Sequence, residues 1–173
     1  MHRTELAHRI YDTAHLTGSF TLRSGVTSSE YFDKYRFESD PELLRAIAEA
    51  LAPLVPAGTE GLAGLELGGV PLATALSMHT GLPAYFVRKE AKTYGTCQLA
   101  EGGHIEGKRL TVVEDVVTSG GQVIESCAEL RGLGVTVDRV LCVIDRQSGG
   151  LEKLAAEGLE LAALFRMDEL TPS

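Results

Sequence analysis

Glu114 and Asp115 stand side by side after the apolar run Leu110-Thr111-Val112-Val113, and two valines later the chain reads Thr118-Ser119-Gly120-Gly121-Gln122. Adjacent carboxylates can accept hydrogen bonds from sugar hydroxyls or hold a divalent cation at one remove. The small-residue loop offers the opposite chemistry. The β-branched run before it suits a strand buried on both faces of a parallel sheet. Val123, Ile124, Cys127, Ala128 and Leu130 follow at helical spacing, with Gly134 as a stop. A helix N-terminus directly after such a loop leaves backbone N–H groups pointing outward, and its dipole favours an anion. Phosphate on the loop and hydroxyls on the acids together describe a ribose 5-phosphate. The residues by themselves also allow a solvated acidic pair and an ordinary turn.

Three further stretches carry charge or glycine where predicted strands end. Arg88-Lys89-Glu90-Ala91-Lys92 follows the strand expected at Ala84–Arg88. Three cations in five residues suit a pyrophosphate, though a charge run by itself is usually a solvated face. Asp145-Arg146-Gln147 follows the strand expected at Thr136–Ile144, where an arginine can clamp a carboxylate bidentately or simply pair with its neighbour in a loop. Gly68-Gly69-Val70-Pro71 forms a second strand–glycine–helix junction, readable as a tight turn or a second anion site.

The elements that must hold these groups alternate. Leu6, Ile10 and Ala14 form a helical stripe within about Arg3 to Leu16, and Phe20–Leu22 and Tyr31–Tyr35 flank a Ser24-Gly25 turn as short strands. Asp40-Pro41-Glu42 is a helix start, with Leu43, Leu44, Ile47, Leu51 and Leu54 on its buried face. Gly61–Leu67 reads as a strand, and a helix runs through Leu72, Ala73 and Leu76 to Gly81. Lys92 to Lys108 shows no convincing periodicity, and so long a loop inside a compact domain points to a lid or a disordered segment. A helix over Leu151–Glu157 and a strand over Leu159–Phe165 complete the chain. The pattern predicts an α/β fold: a parallel sheet with helices on both faces, its carboxyl edge capped by the N-terminal segment.

Composition narrows the function. With 173 residues, 44% hydrophobic and 23% charged, one globular domain over residues 1–173 is expected. A net charge of −8 argues against a general nucleic-acid binder. No apolar run approaches a membrane span or a secretory signal, so a cytoplasmic location is expected. Cys97, Cys127 and Cys142 are scattered without zinc spacing, and the five histidines form no paired ligand set.

VVEDVVTSGGQ resembles the phosphoribosyl pyrophosphate signature of type I phosphoribosyltransferases, and nearly the whole chain resembles the orotate phosphoribosyltransferases among them. TLRSG, RKEAK, the long loop, EDVVTSGG and DRQ occur in that family's order. The resemblance implies a type I phosphoribosyltransferase fold, with residues 1–40 as an N-terminal helix and hood and residues 92–108 as a mobile catalytic loop that reaches across a homodimer. The implied reaction joins orotate and phosphoribosyl pyrophosphate into orotidine 5′-monophosphate and pyrophosphate, with Mg²⁺ held mainly by substrate and water. It assigns Lys92, Glu114 and Asp115 to catalysis. Phosphoribosyl pyrophosphate falls to Arg88, Lys89, Lys92, Tyr94, Glu114, Asp115, Val116, Val117, Thr118, Ser119, Gly120, Gly121 and Gln122, and orotate to Thr118, Arg146 and Arg23. Arg23 and Tyr94 stand where many members carry Lys and His, and Gly68 where some carry Lys. A purine-base enzyme of this fold has no carboxylate for Arg146 to clamp. A nucleic-acid-binding regulator of this fold is expected to show a basic face or an added DNA-binding segment, and the −8 charge, the full acidic pair and Lys92 count against it.

Overall fold

The computed structural model describes residues 1–22, 24–91 and 98–170. Helix α1 (Arg3–Ala14) buries Leu6, Ala7, Ile10 and Ala14, as their spacing predicts. It runs directly into β1 (His15–Thr21), which pairs antiparallel with β2 (Thr27–Phe32), Thr21 facing Thr27. The hairpin therefore begins five residues before Phe20, and its second strand stops at Phe32. Asp33 donates its N–H to the carbonyl of Ala14, the chain turns, and Tyr35 opens a short helix, α2 (Tyr35–Ser39). The partial alternation of Tyr31–Tyr35 suggests a longer strand. Tertiary packing overrides it, because Phe37 is drawn completely into the core. Helix α3 (Pro41–Leu51) starts as its sequence indicates: the Asp40 carboxylate accepts from the N–H groups of Glu42 (2.9 Å) and Leu43 (3.0 Å), with Pro41 in the first turn.

The rest of the chain alternates: β3 (Gly61–Leu65), α4 (Gly69–Thr80), β4 (Ala84–Val87), β5 (Ala100–Glu101), β6 (Arg109–Val117), α5 (Gly121–Gly132), β7 (Thr136–Asp145), α6 (Gly150–Ala156), β8 (Glu160–Arg166) and α7 (Met167–Leu170). The six strands from β3 onward form one sheet in the order β5-β4-β3-β6-β7-β8, parallel except for β5 at the edge. Alternation along the strands splits the core in two. Leu62, Val113 and Leu141 join the cluster with α1, α3 and α4. Ala63, Val112, Val140 and Cys142 join the cluster with α5 and α6.

Two differences from the sequence reading bear on the site. Strand β6 does not stop before the acids but continues through them to Val117, because Val116 and Val117 pair with Ile144 and Asp145 of β7. The stretch expected as a structureless loop is anchored in its second half: Ala100–Glu101 pairs with β4, and Leu99, Ala100 and Ile105 are buried. Two paired residues are too few to leave a period in sequence.

Phe37 ties α2 to the core. Replacing it with alanine is expected to cost about 3–5 kcal/mol of unfolding free energy, read as a lower urea midpoint at unchanged slope.

Candidate functional site

The chain leaves β3 for β4 on one side and β6 for β7 on the other, so the connections diverge at the β3/β6 boundary. In open α/β sheets a crevice forms at that switch point, beyond the carboxyl ends of the strands. The loops after β3, β4, β6 and β7 all emerge on this edge, and with the last residues of β6 and β7 they carry Gly68-Gly69, Arg88-Lys89, Glu114-Asp115, residues 118–122 and Asp145-Arg146-Gln147.

At the centre lie three carboxyl groups and one lysine. Asp115 is fully enclosed. Its Oδ1 accepts the N–H of Val116 at 2.6 Å, and its Oδ2 lies 2.7 Å from Lys34 Nζ. Glu114 accepts the N–H of Asp115 at 2.9 Å and is only partly covered. Glu38, from α2, is buried to 6% exposure and sets its carboxyl against that of Asp115. Burial, then the neighbouring Asp115, pushes both Glu38 and Glu114 up to about 9, so both hold protons at neutral pH. Asp115 is held below the usual carboxylate range. Its burial opposes ionisation, but hydrogen bonds from Glu114, Lys34 and Glu38 and the Lys34 charge outweigh it. Gly68 closes the cluster from the β3–α4 loop: a Cβ there would collide with the Asp115 carboxylate, so only glycine fits.

Beside this cluster the β6–α5 loop is built as an anion cradle. Thr118, Ser119, Gly121 and Gln122 are exposed. Gly120, at φ 79°, turns the chain into α5 through a left-handed conformation, and no side chain caps that helix. Its first N–H groups are thus free for a ligand. Val117, by contrast, is buried in the core, so only its backbone faces this loop, and its carbonyl accepts the N–H of Arg146 at 2.9 Å.

The Asp145-Arg146-Gln147 turn divides its labour. Asp145 accepts the N–H of Gln147 at 2.8 Å. Gln147 pairs through both ends of its amide with Asp168 of α7, at 3.2 Å each. Arg146 lies between them and lines a cleft of about 430 Å³ with Tyr11, His15, Glu30, Tyr31 and Met167. The hairpin roofs this cleft, and Tyr31 is steadied by stacking on Phe20 with centroids 5.5 Å apart.

On the far side, Arg88 pairs with Glu101 of β5 at 3.2 Å, and the N–H of Lys89 donates to Glu66 of the β3–α4 loop at 2.6 Å. The side chain of Lys89 is exposed. Arg23, Lys92, Tyr94 and Cys97 lie outside the described residues. Cys127 and Cys142 are free thiols in the core, Cys127 pushed up to about 12 by burial, which suits packing rather than nucleophilic work. Lys34 and Glu38 are site residues that the sequence reading misses. Their i, i+4 spacing is the only hint, and it ordinarily marks a solvated pair.

The structure thus places an uncapped helix N-terminus, an acid cluster and an arginine-lined cleft along one edge of a mostly parallel sheet. A sequence model of the phosphoribosyl transferase domain matches residues 37–162. An orotate phosphoribosyltransferase of Nocardioides sp. is 52% identical over 165 residues, covering 95% of this chain and 92% of the relative. Among solved structures, the orotate phosphoribosyltransferase of Mycobacterium tuberculosis in complex with Fe(III) dicitrate superposes with a TM-score of 0.88 at 32% identity, covering 98% of this chain and 99% of that one. The complex of the M. tuberculosis enzyme with 5-phospho-α-D-ribosyl 1-diphosphate gives 0.83 at 29% identity, covering 97% and 98%. The chain belongs to the orotate phosphoribosyltransferases, within the type I phosphoribosyltransferase family.

The acid cluster makes stability depend on pH. Glu38 and Glu114 hold protons in the folded chain up to about pH 9 but release them near 4.5 once unfolded. The folded state therefore binds more protons across that window, and stability falls as pH rises through it. Asp115 acts oppositely, its contribution being lost only as pH falls through its lowered folded value. Glu38→Gln, which keeps the neutral form, is expected to flatten the decline between pH 5 and pH 9 in urea unfolding curves.

Proposed function

We propose that this chain transfers ribose 5-phosphate from phosphoribosyl pyrophosphate to orotate, yielding orotidine 5′-monophosphate and pyrophosphate in de novo pyrimidine synthesis. The observation that carries this reading is the uncapped N-terminus of α5 set beside the Glu114–Asp115 cluster, with the Arg146 cleft on the same sheet edge. Membership in the orotate phosphoribosyltransferases supports it.

In this reading Val116 to Gln122 receive the 5-phosphate, through backbone N–H groups and the Thr118 and Ser119 hydroxyls. Glu114, the less enclosed acid, meets the ribose hydroxyls, with charged Asp115 directly behind it. The bond from ribose to pyrophosphate breaks as positive charge develops on the sugar, so a negative centre below the ring lowers the barrier. Arg88, Lys89 and the partner subunit's Lys92 neutralise the departing pyrophosphate, with Tyr94 donating to one of its oxygens. Thr118, Arg146 and Arg23 orient orotate, Arg146 by a forked bond to its carboxylate. No covalent nucleophile is needed, because placement and electrostatics suffice.

The donor set bears on the metal. One oxygen of Asp115 is taken by a backbone N–H and the other by Lys34, so the acid pair has few free oxygens for a cation. Among the described residues no three His, Cys, Asp or Glu groups are arranged to hold a metal. This donor set fits a Mg²⁺ held mainly by the diphosphate, ribose oxygens and water. When bound, it neutralises charge on the leaving group. We further assign the chain to a homodimer with shared active sites in the cytoplasm; no helix among the described residues is long and apolar enough to cross a membrane.

The direct test follows orotate absorbance with phosphoribosyl pyrophosphate and Mg²⁺. Turnover is expected, and its absence from folded protein would sink the reading. Arg146→Ala should lower kcat/KM for orotate about 10- to 100-fold, the worth of a charge-assisted hydrogen bond. Lys92→Ala should lower kcat while leaving the fold intact, which circular dichroism would verify.

A further inference from the structure

Asp115 is enclosed on every side. Lys34, at the start of α2, places its ammonium 2.7 Å from Oδ2. Glu38, one turn further along, brings its carboxyl against the same acid. Glu114 adjoins it along β6, and the backbone of Gly68, at the start of α4, packs directly against its carboxylate. Apart from the Lys34 ammonium at Asp115 Oδ2, neither that atom nor Glu38 Oε1 meets a hydrogen-bond donor among the described residues. The Lys34 charge and a proton kept by Glu38 satisfy them instead. Lys34 is one-third exposed, with its ammonium 5.3 Å from the centroid of the Tyr35 ring.

We infer that Lys34, seated by α2 with Glu38 beside it, is a positioning residue for the transfer reaction: its ammonium keeps the enclosed Asp115 carboxylate ionised and fixed behind Glu114, so that the acid pair presents one negative centre to the ribose. This rests on the proposed function, but the ion pair itself does not.

A surface lysine–carboxylate pair contributes little and tolerates loss of either partner. This pair differs because Asp115 has no exposed surface. Without Lys34 its charge is left buried among two other carboxyls, and the inexpensive remedy is to take up a proton. A protonated Asp115 keeps its shape but loses its field. The ribose is uncharged in the bound substrate and cationic only in the transition state, so the loss belongs in kcat rather than in substrate affinity. Lys34 thereby differs from Arg88, Lys89 and Lys92, whose proposed contacts are with the pyrophosphate itself.

The test compares Lys34→Met and Lys34→Arg with the unmodified chain between pH 6 and pH 9, measuring orotate consumption and, by calorimetry, binding of phosphoribosyl pyrophosphate. Carboxyl ¹³C resonances of labelled aspartate, with Asp115 assigned through Asp115→Asn, report its ionisation directly. Lys34→Met is expected to lower kcat at least about tenfold while KM for phosphoribosyl pyrophosphate changes less than about threefold. The acid limb of its pH–rate profile should move up by about one unit or more, with Asp115 protonated at a pH where the unmodified chain shows it ionised. Lys34→Arg should restore most of the rate. If Lys34→Met does not fold, Lys34→Gln carries the same comparison. An unchanged kcat and pH profile overturn the inference, and so does an equal loss in Lys34→Arg, which would mark the ammonium as a direct substrate contact. If the unmodified chain does not turn over orotate, the proposed function fails, and the Asp115 resonance alone decides whether Lys34 governs its ionisation.

Discussion

A carboxylate cannot stay charged in a protein interior unless something answers the charge, and much of the architecture around Asp115 follows from that requirement. The answer is Lys34, which belongs to the junction between the hairpin and α2 and not to the sheet. To bring it there, the chain must break β2 at Phe32, turn at Asp33 and bury Phe37. To make room, the β3–α4 loop must carry Gly68, since any side chain would occupy the space of the Asp115 carboxylate. Glu38 completes the arrangement by remaining neutral, so that three carboxyls and one lysine coexist without two adjacent bare charges.

The sheet supplies the frame for this. A strand order that reverses at the β3/β6 boundary opens a crevice at the carboxyl edge, and the four loops there carry complementary chemistry: backbone donors after β6, cations after β4, an arginine after β7 and a small-residue turn after β3. The Asp145-Arg146-Gln147 turn shows how three residues serve one. Asp145 and Gln147 spend their hydrogen bonds on the loop and on α7, leaving Arg146 on the cleft under the hairpin. The hairpin is thus tied to the active edge twice, through this cleft and through Lys34.

Much of this was legible beforehand. Helix starts with side-chain signals, such as Asp40-Pro41, fall where expected, because a cap is a local hydrogen bond between near neighbours in sequence. Long strands and helices were readable for the same reason, since burial on one face or two leaves a period. The misreadings share a cause as well. Tyr31–Tyr35 alternates like a strand, but the strand stops at Phe32 and Tyr35 opens a helix. Ala100–Glu101 is too short to show a period, and it becomes a strand only because β4 offers a free edge.

The residues by themselves determined the alternating α/β plan and the acid–acid–valine–valine–small-loop order that makes a sugar-phosphate site, because these depend on neighbours a few positions apart. The resemblance carried by that order and by TLRSG, RKEAK and DRQ added the family. Only the tertiary structure decided that the two acids are unequal, one enclosed and charged, the other more open and protonated, and that Lys34 and Glu38 belong to the site. Those properties arise from groups about eighty residues apart in sequence meeting in a space closed to water. There charge depends on who is adjacent, and no local pattern of residue types records that.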